Sequence, residues 1–308
     1  MIHNTPEQLF TARPNDTTLN KILNFPITRI FICTIAFIAI VFVQEMLGFA
    51  GLYVPYGIAT YIFQGFSSLL VFVLFMLIFH LYTRLVEERH AVELSTFGAV
   101  KETFWGIGIG ATLMLVVALV MYLLGNYSVV SSGNYKALWE GLVLFWPAAF
   151  LEELLMRALL FKVVEEYLGS IWALVISALM FGILHLTNDN ATWFSCMAIA
   201  LEAGILLGAT YMLTRRIWLS QGLHFAWNFV QTAVLGFAVS GNQMNSFLEV
   251  EISGSEWITG GSFGAEASII AIVLCTATGF LVLRKAFLEK QFVLPRWRRK
   301  KYVIISEE

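Results

Sequence analysis

Residues 57–83 read GIATYIFQGFSSLLVFVLFMLIFHLYT and contain no Asp, Glu, Lys or Arg. About 20 mostly apolar residues suffice for a helix to cross the hydrocarbon core of a bilayer, so this run predicts a membrane span. Seven further runs qualify on the same grounds, at roughly 30–50, 103–124, 138–163, 170–187, 193–213, 217–239 and 266–287. Glycine is scattered through them, proline is rare, and none alternates in the manner of a strand, which disfavours a β-barrel. The predicted fold is all-α: a polytopic integral membrane protein with about eight transmembrane helices.

Composition agrees. Of 308 residues 13% are charged and 58% hydrophobic, against about 25% charged in soluble domains. An aqueous globule of this composition would leave much of its surface without polar cover. The net charge of −2 and the lack of a basic domain exclude a nucleic-acid binder. Cys33, Cys196 and Cys275 each lie in an apolar run with no CxxC pair, which argues against a disulfide framework or a thiolate metal site. Residues 1–28 carry Glu7, Pro14, Asp16 and Pro26 where a cleavable signal would have a short basic region. The first span is expected to be an uncleaved anchor.

Basic residues give the orientation. Arg13, Lys21 and Arg29 precede span one; Arg84, Arg89 and Lys101 follow span two; Lys162 follows span four; Arg215 and Arg216 follow span six; and a basic tail ends in LPRWRRKK, residues 294–301. All fall on one side, with Lys136 on the other and Arg157 inside a span. By the positive-inside rule both termini are cytoplasmic. Glu249, Glu251 and Glu256, without a compensating cation in 240–265, suit the opposite side. Residues 85–102 are expected to form an amphipathic helix on the cytoplasmic face. The tail is expected to flank the last span and touch anionic lipid.

The expected organisation is a cytoplasmic segment at 1–29, accessory helices at 30–137, a core of spans four to seven at 138–240, an extracytoplasmic loop at 241–265, and a last span with basic tail at 266–308.

Against this apolar background a few polar residues stand out, because a charge at the bilayer centre costs ~2.5–3.5 kcal/mol or more. Span four carries Glu152, Glu153 and Arg157; span five Phe181 and His185; span six Glu202; span seven His224 and Asn228. Glu153 and Arg157 are four apart and share a helix face, so they can pair. Glu152 lies about 100° around the helix and can point into the bundle. His224 and Asn228 form a donor-rich strip, and Phe181 can pack beneath His185. Glu202 is expected to be a structural partner of a neighbouring helix.

A carboxylate beside a histidine can hold and deprotonate water. An imidazole and an amide facing the same point can donate to an oxyanion. These are the parts for hydrolysing a peptide bond. One Glu with two His (Glu152, His185 and His224) is equally a ligand set for zinc or another divalent ion. The residues leave metal-bound and metal-free chemistry both open.

EELLMR, FGILH and HFAWN, on successive polar spans, resemble the EExxxR, FxxxH and HxxxN motifs of the CPBP family, which comprises type II CAAX prenyl endopeptidases and bacterial relatives often called Abi proteins. The resemblance covers about residues 138–240. It implies an intramembrane endopeptidase, a group commonly labelled metalloproteases, in which Glu152 is the general base and His185 its partner on the water. His224 and Asn228 would face the oxyanion, with Glu153 and Arg157 structural. The family's frequent Phe-Arg-Gly is Met156-Arg157-Ala158 here, a change bearing on substrate fit. The implied partners are membrane lipids and a peptide or membrane-protein substrate, with no soluble cofactor, in a bacterial cell membrane. The rival class is a non-catalytic membrane protein serving bacteriocin immunity or partner scaffolding. Under straight helices the three motifs sit several turns apart in depth, which tilt or a long span four would reconcile.

Overall fold

The structure is a computed structural model and describes residues 6–299; Lys300 and Lys301 of the basic tail lie outside it. The chain is a helical bundle: α1 (Thr18–Asn24), α2 (Pro26–Gly51), α3 (Ile58–Leu85), α4 (Ala99–Leu123), α5 (Tyr135–Glu153), α6 (Lys162–Leu168), α7 (Ser170–Leu184), α8 (Trp193–Ile199), α9 (Ile205–Thr214), α10 (Trp218–Asn228), α11 (Glu256–Thr259) and α12 (Ile269–Leu288). Among the described residues six helical stretches are long and apolar enough to cross a membrane: α2, α3, α4, Ser170–Thr187, Trp193–Thr214 and α12. The expected fourth and seventh spans are helical but are not among those six. They are the two that carry Glu152, Glu153, Arg157, His224 and Asn228.

Three π-helical segments interrupt the bundle: Leu154–Phe161 between α5 and α6, Ala200–Gly204 between α8 and α9, and Phe229–Val234 after α10. Such wide turns are rare and concentrate at functional sites. Each lies beside or within one of the polar stretches. The α5–π–α6 rod from Tyr135 to Leu168 is continuous, about 50 Å at a 1.5 Å rise. That exceeds the ~30 Å apolar core of a bilayer.

One expectation needs correction. The segment 85–102 is not an amphipathic helix. It forms turns and a short 3₁₀ stretch, Val92–Leu94, before α4 begins at Ala99. The reason is that its charges are buried: Glu87 and Glu93 are fully enclosed and Arg89 nearly so. The all-α expectation holds, with one short addition: β1 (Tyr127–Ser132) pairs antiparallel with β2 (Leu248–Ile252). Both strands lie in segments expected outside the membrane.

The buried charges form two clusters at the end expected to be cytoplasmic, one around Glu87 and one joining Glu165 to Arg215. Glu87 accepts Arg29 at 2.5 Å, Arg89 at 2.6 Å, the Tyr82 hydroxyl at 2.9 Å, and Lys162. Arg89 also holds Glu93, and Arg215 holds Glu165 at 2.5 Å. Burial alone would raise the Glu87 carboxyl; Lys162, Arg89 and Arg29 overcome it and hold it well below the usual carboxylate range. Buried ions persist only when paired in this way. The Glu87 cluster ties α2, the α3–α4 link and α6 into one block.

On the other flank of the bundle, α4 and α10 meet backbone to backbone. A Cβ on Gly106 would strike the Leu219 carbonyl, one on Gly110 the Leu223 carbonyl, and one on Gly222 the Thr103 carbonyl. Small residues four apart permit this close approach of membrane helices. It seats His224 against a rigid neighbour.

Candidate active site

The motif residues meet around one aromatic ring. Phe181 of α7 packs edge-on against His185 at 4.8 Å and against His224 at 5.8 Å between ring centroids. The Arg157 guanidinium lies over the same ring at 4.8 Å. Residues from the rod, α7 and α10 therefore share one depth. The long rod removes the mismatch that straight helices implied, because Glu152 sits near its middle.

Glu153 and Arg157 pair as their spacing predicts, with Arg157 Nε 3.5 Å from Glu153 Oε2. Both are almost wholly buried. Arg157 also reaches the Ala203 carbonyl at 3.4 Å. The second Glu153 oxygen lies 3.1 Å from His224 Nδ1. A carboxylate engaged with Arg157 only accepts here, so His224 donates from Nδ1, and this fixes which ring nitrogen remains. That nitrogen, Nε2, lies 3.8 Å from Glu152 Oε2. Glu152 differs from Glu153 in exposure: its side chain is 37% accessible and that of Glu153 is not accessible at all.

His185 ends α7 and starts the 3₁₀ turn His185–Thr187. Its Nδ1 donates to the Phe181 carbonyl at 2.7 Å, which can only accept, so Nε2 carries the free lone pair in the neutral ring. The ring borders two spaces. One is a cleft of about 180 Å³ shared with Glu152, Met156, Phe181 and Asn188. The other is a small cavity of about 20 Å³ shared with His224, Asn228, Glu202, Ser240 and Glu266. That volume admits a water molecule and little else. The structure thus brings Glu152 and His185 to one cleft, and His185, His224 and Asn228 to one cavity. The nearest imidazole contact of Glu152 is with His224.

Among the described residues no group of three His, Cys, Asp or Glu side chains is arranged to hold a metal ion. Glu152, His185 and His224 line the same region, and His224 Nδ1 and His185 Nδ1 are engaged by Glu153 and by a backbone carbonyl, which leaves both Nε2 atoms free. The residue types allow a metal, the described side chains gather no three-ligand group, and no step below is routed through a metal.

Two further carboxylates face the cavity, one of them unremarked in the sequence reading. Glu202, read as a structural residue, faces the small cavity and interacts with the Cys275 thiol. Glu266 went unremarked, because a lone carboxylate at the head of an apolar run reads as an interfacial charge. It is 2% exposed and lines the same cavity.

Residues 134–230 match the family model described as Type II CAAX prenyl endopeptidase Rce1-like. The matched segment spans Glu152, His185, Glu202, His224 and Asn228 and stops before Ser240 and Glu266. Over that segment, about a third of the chain, the protein is similar to the CPBP/CAAX protease family. No curated protein and no solved structure matches the chain significantly.

Proposed function

We propose that this chain is an intramembrane endopeptidase of the CAAX-protease type, with both termini in the cytoplasm, that hydrolyses a peptide bond by water activated at Glu152 and His185. The observation that carries the reading is the meeting of three helices at Phe181, with Glu152 and His185 on one open cleft and His224 and Asn228 just behind it.

In this mechanism Glu152, the partly exposed carboxylate, takes a proton from a water held against His185. The water oxygen bonds to the scissile carbonyl carbon, whose oxygen becomes the oxyanion. The Asn228 amide donates to that oxyanion. His224 joins as a second donor from Nε2 in its doubly protonated form, flanked by the two carboxylates. The carbon–nitrogen bond then breaks and Glu152 returns the proton to the leaving amine. Glu153 and Arg157 hold His224 and Phe181 in place and touch no reacting atom.

The test compares membranes containing the wild-type chain with membranes containing Glu152→Gln, mapping new peptide termini in the membrane-protein fraction. Cleavages present only with the wild-type chain support the reading. Unchanged cleavage in Glu152→Gln removes Glu152 from the catalytic role. A biological effect that outlasts the loss of cleavage favours the non-catalytic immunity or scaffolding reading.

A further inference from the structure

The chemistry above leaves two buried carboxylates of the cavity unused, Glu202 and Glu266, and of these Glu266 also bonds to the chain behind His185. Glu266 lies on the 3₁₀ turn Ala265–Ala267, just before α12. Its Oε1 accepts the backbone N–H of Ser240 at 2.6 Å, and its Oε2 accepts Gln231 Nε2–H at 3.1 Å. It lines the small cavity with His185, His224 and Asn228, and it interacts electrostatically with His185. No Lys or Arg lines that cavity, so the imidazoles are its basic groups.

The same carboxylate fixes a clasp. Ser240 has a positive φ of 48°, a conformation costly for a residue with a side chain, and the bond from Glu266 holds its N–H. The next residue, Gly241, has φ of 85°, and a Cβ there would strike the Asp189 carbonyl. Gly241 donates its N–H to the Phe263 carbonyl at 2.8 Å and accepts Asn190 Nδ2–H at 3.0 Å. Asp189 and Asn190 belong to the loop that follows His185. Glu266 therefore reaches His185 twice, across the cavity and through the Ser240–Asn190 clasp behind it.

We infer that Glu266 is a positioning residue for the hydrolysis, its charge and its grip on Ser240 together holding His185 at the junction of cleft and cavity. The inference rests on the proposed peptidase function. Its negative charge is the part that a purely structural tether would not need. A neutral glutamine still accepts from the Ser240 N–H but turns its amide NH2 towards the Gln231 Nε2 amide, so the thermal midpoint is read beside kcat to separate the two roles.

The experiment uses the full chain in proteoliposomes with a fluorogenic farnesylated CAAX peptide as probe, comparing wild type, Glu152→Gln, Glu266→Gln and Glu266→Ala. The expected result is a fall in kcat of at least tenfold in Glu266→Gln, with KM within about twofold and an unchanged thermal midpoint. Glu266→Ala falls further and loses thermal stability as the clasp loosens. Unchanged kcat in Glu266→Gln overturns the inference, as does a Glu266→Gln chain that fails to fold, because the residue would then be structural alone. If the wild-type chain does not cleave the probe, or Glu152→Gln cleaves it as well, the peptidase reading falls and takes this one with it. Loss in Glu152→Gln with no change in Glu266→Gln overturns this inference alone.

Discussion

His224 Nδ1 stands 3.1 Å from Glu153 Oε1 while its Nε2 stands 3.8 Å from Glu152 Oε2. One imidazole thus bridges two adjacent carboxylates of different burial. The buried one fixes the ring and the accessible one faces the cleft, which gives the neighbours separable roles.

Substitution should divide them. Glu152→Gln is expected to reduce cleavage by at least 10²-fold, the scale of losing a general base, with little change in thermal unfolding. Glu153→Gln leaves Arg157 buried without its partner and should destabilise the chain by about 3–5 kcal/mol. Unfolding followed in detergent, beside an activity assay, checks both. Equal stability loss in the two variants would contradict the division.

Asn228→Ala tests the oxyanion side. The residue ends α10 one turn beyond His224 and borders the cavity. A loss of about 10²–10³-fold in kcat with KM nearly unchanged is expected, as for removal of an oxyanion donor. A change confined to KM would place Asn228 in substrate binding instead.

Phe181→Leu keeps an apolar side chain but removes the ring that Arg157, His185 and His224 share. The cation–ring contact is worth about 1–2 kcal/mol when shielded from water. Thermal stability should fall by about that amount, and kcat should fall with it as the two imidazoles lose their common support. An unaltered kcat would show that their alignment does not depend on the ring.

The Glu87 network predicts the acid limit of stability. Its folded carboxyl titrates well below the usual range, so its stabilising contribution is complete above the unfolded pKa of about 4.3. That contribution is lost as pH falls below this value towards the folded pKa. Thermal midpoints should therefore hold steady from neutral pH down to about pH 5 and drop below it. Glu87→Gln removes the charge that offsets Arg29, Arg89 and Lys162 and should flatten this dependence while lowering the plateau. A full acid-side drop surviving in that variant would assign it to other carboxylates.

Chelation tests the donor geometry. Washing with a strong divalent-metal chelator separates the two chemistries, and unchanged cleavage is the outcome expected of water activated by Glu152 and His185 alone. Loss of activity restored by zinc would mean that Glu152, His185 and His224 close on an ion when it binds.

Much of this was legible beforehand. Absent charge over 57–83 marks a span whatever its neighbours do, and the four-residue spacings of Glu153–Arg157 and His224–Asn228 follow from helix geometry alone. Depth was not legible, because it depends on how far the α5–α6 rod overshoots the bilayer, and no single helix encodes that. The segment 85–102 misled for a related reason. Its acids and bases look solvated in sequence, and only the packing of α2, α3 and α6 encloses them. Glu266 was hidden because its partners, Ser240 and Gln231, come from another element and carry no charge to flag the pairing.

The glycine contact between α4 and α10 has a bearing on traffic into the protein. With those two backbones touching at Gly106, Gly110 and Gly222, there is no seam on that flank for a polypeptide to slip through. The cleft holding Glu152 and His185 is walled by the rod on one side and α7 on the other, and Leu184 at its rim is half exposed. The opening of that cleft therefore lies between the rod and α7, on a different flank from the closed α4–α10 seam.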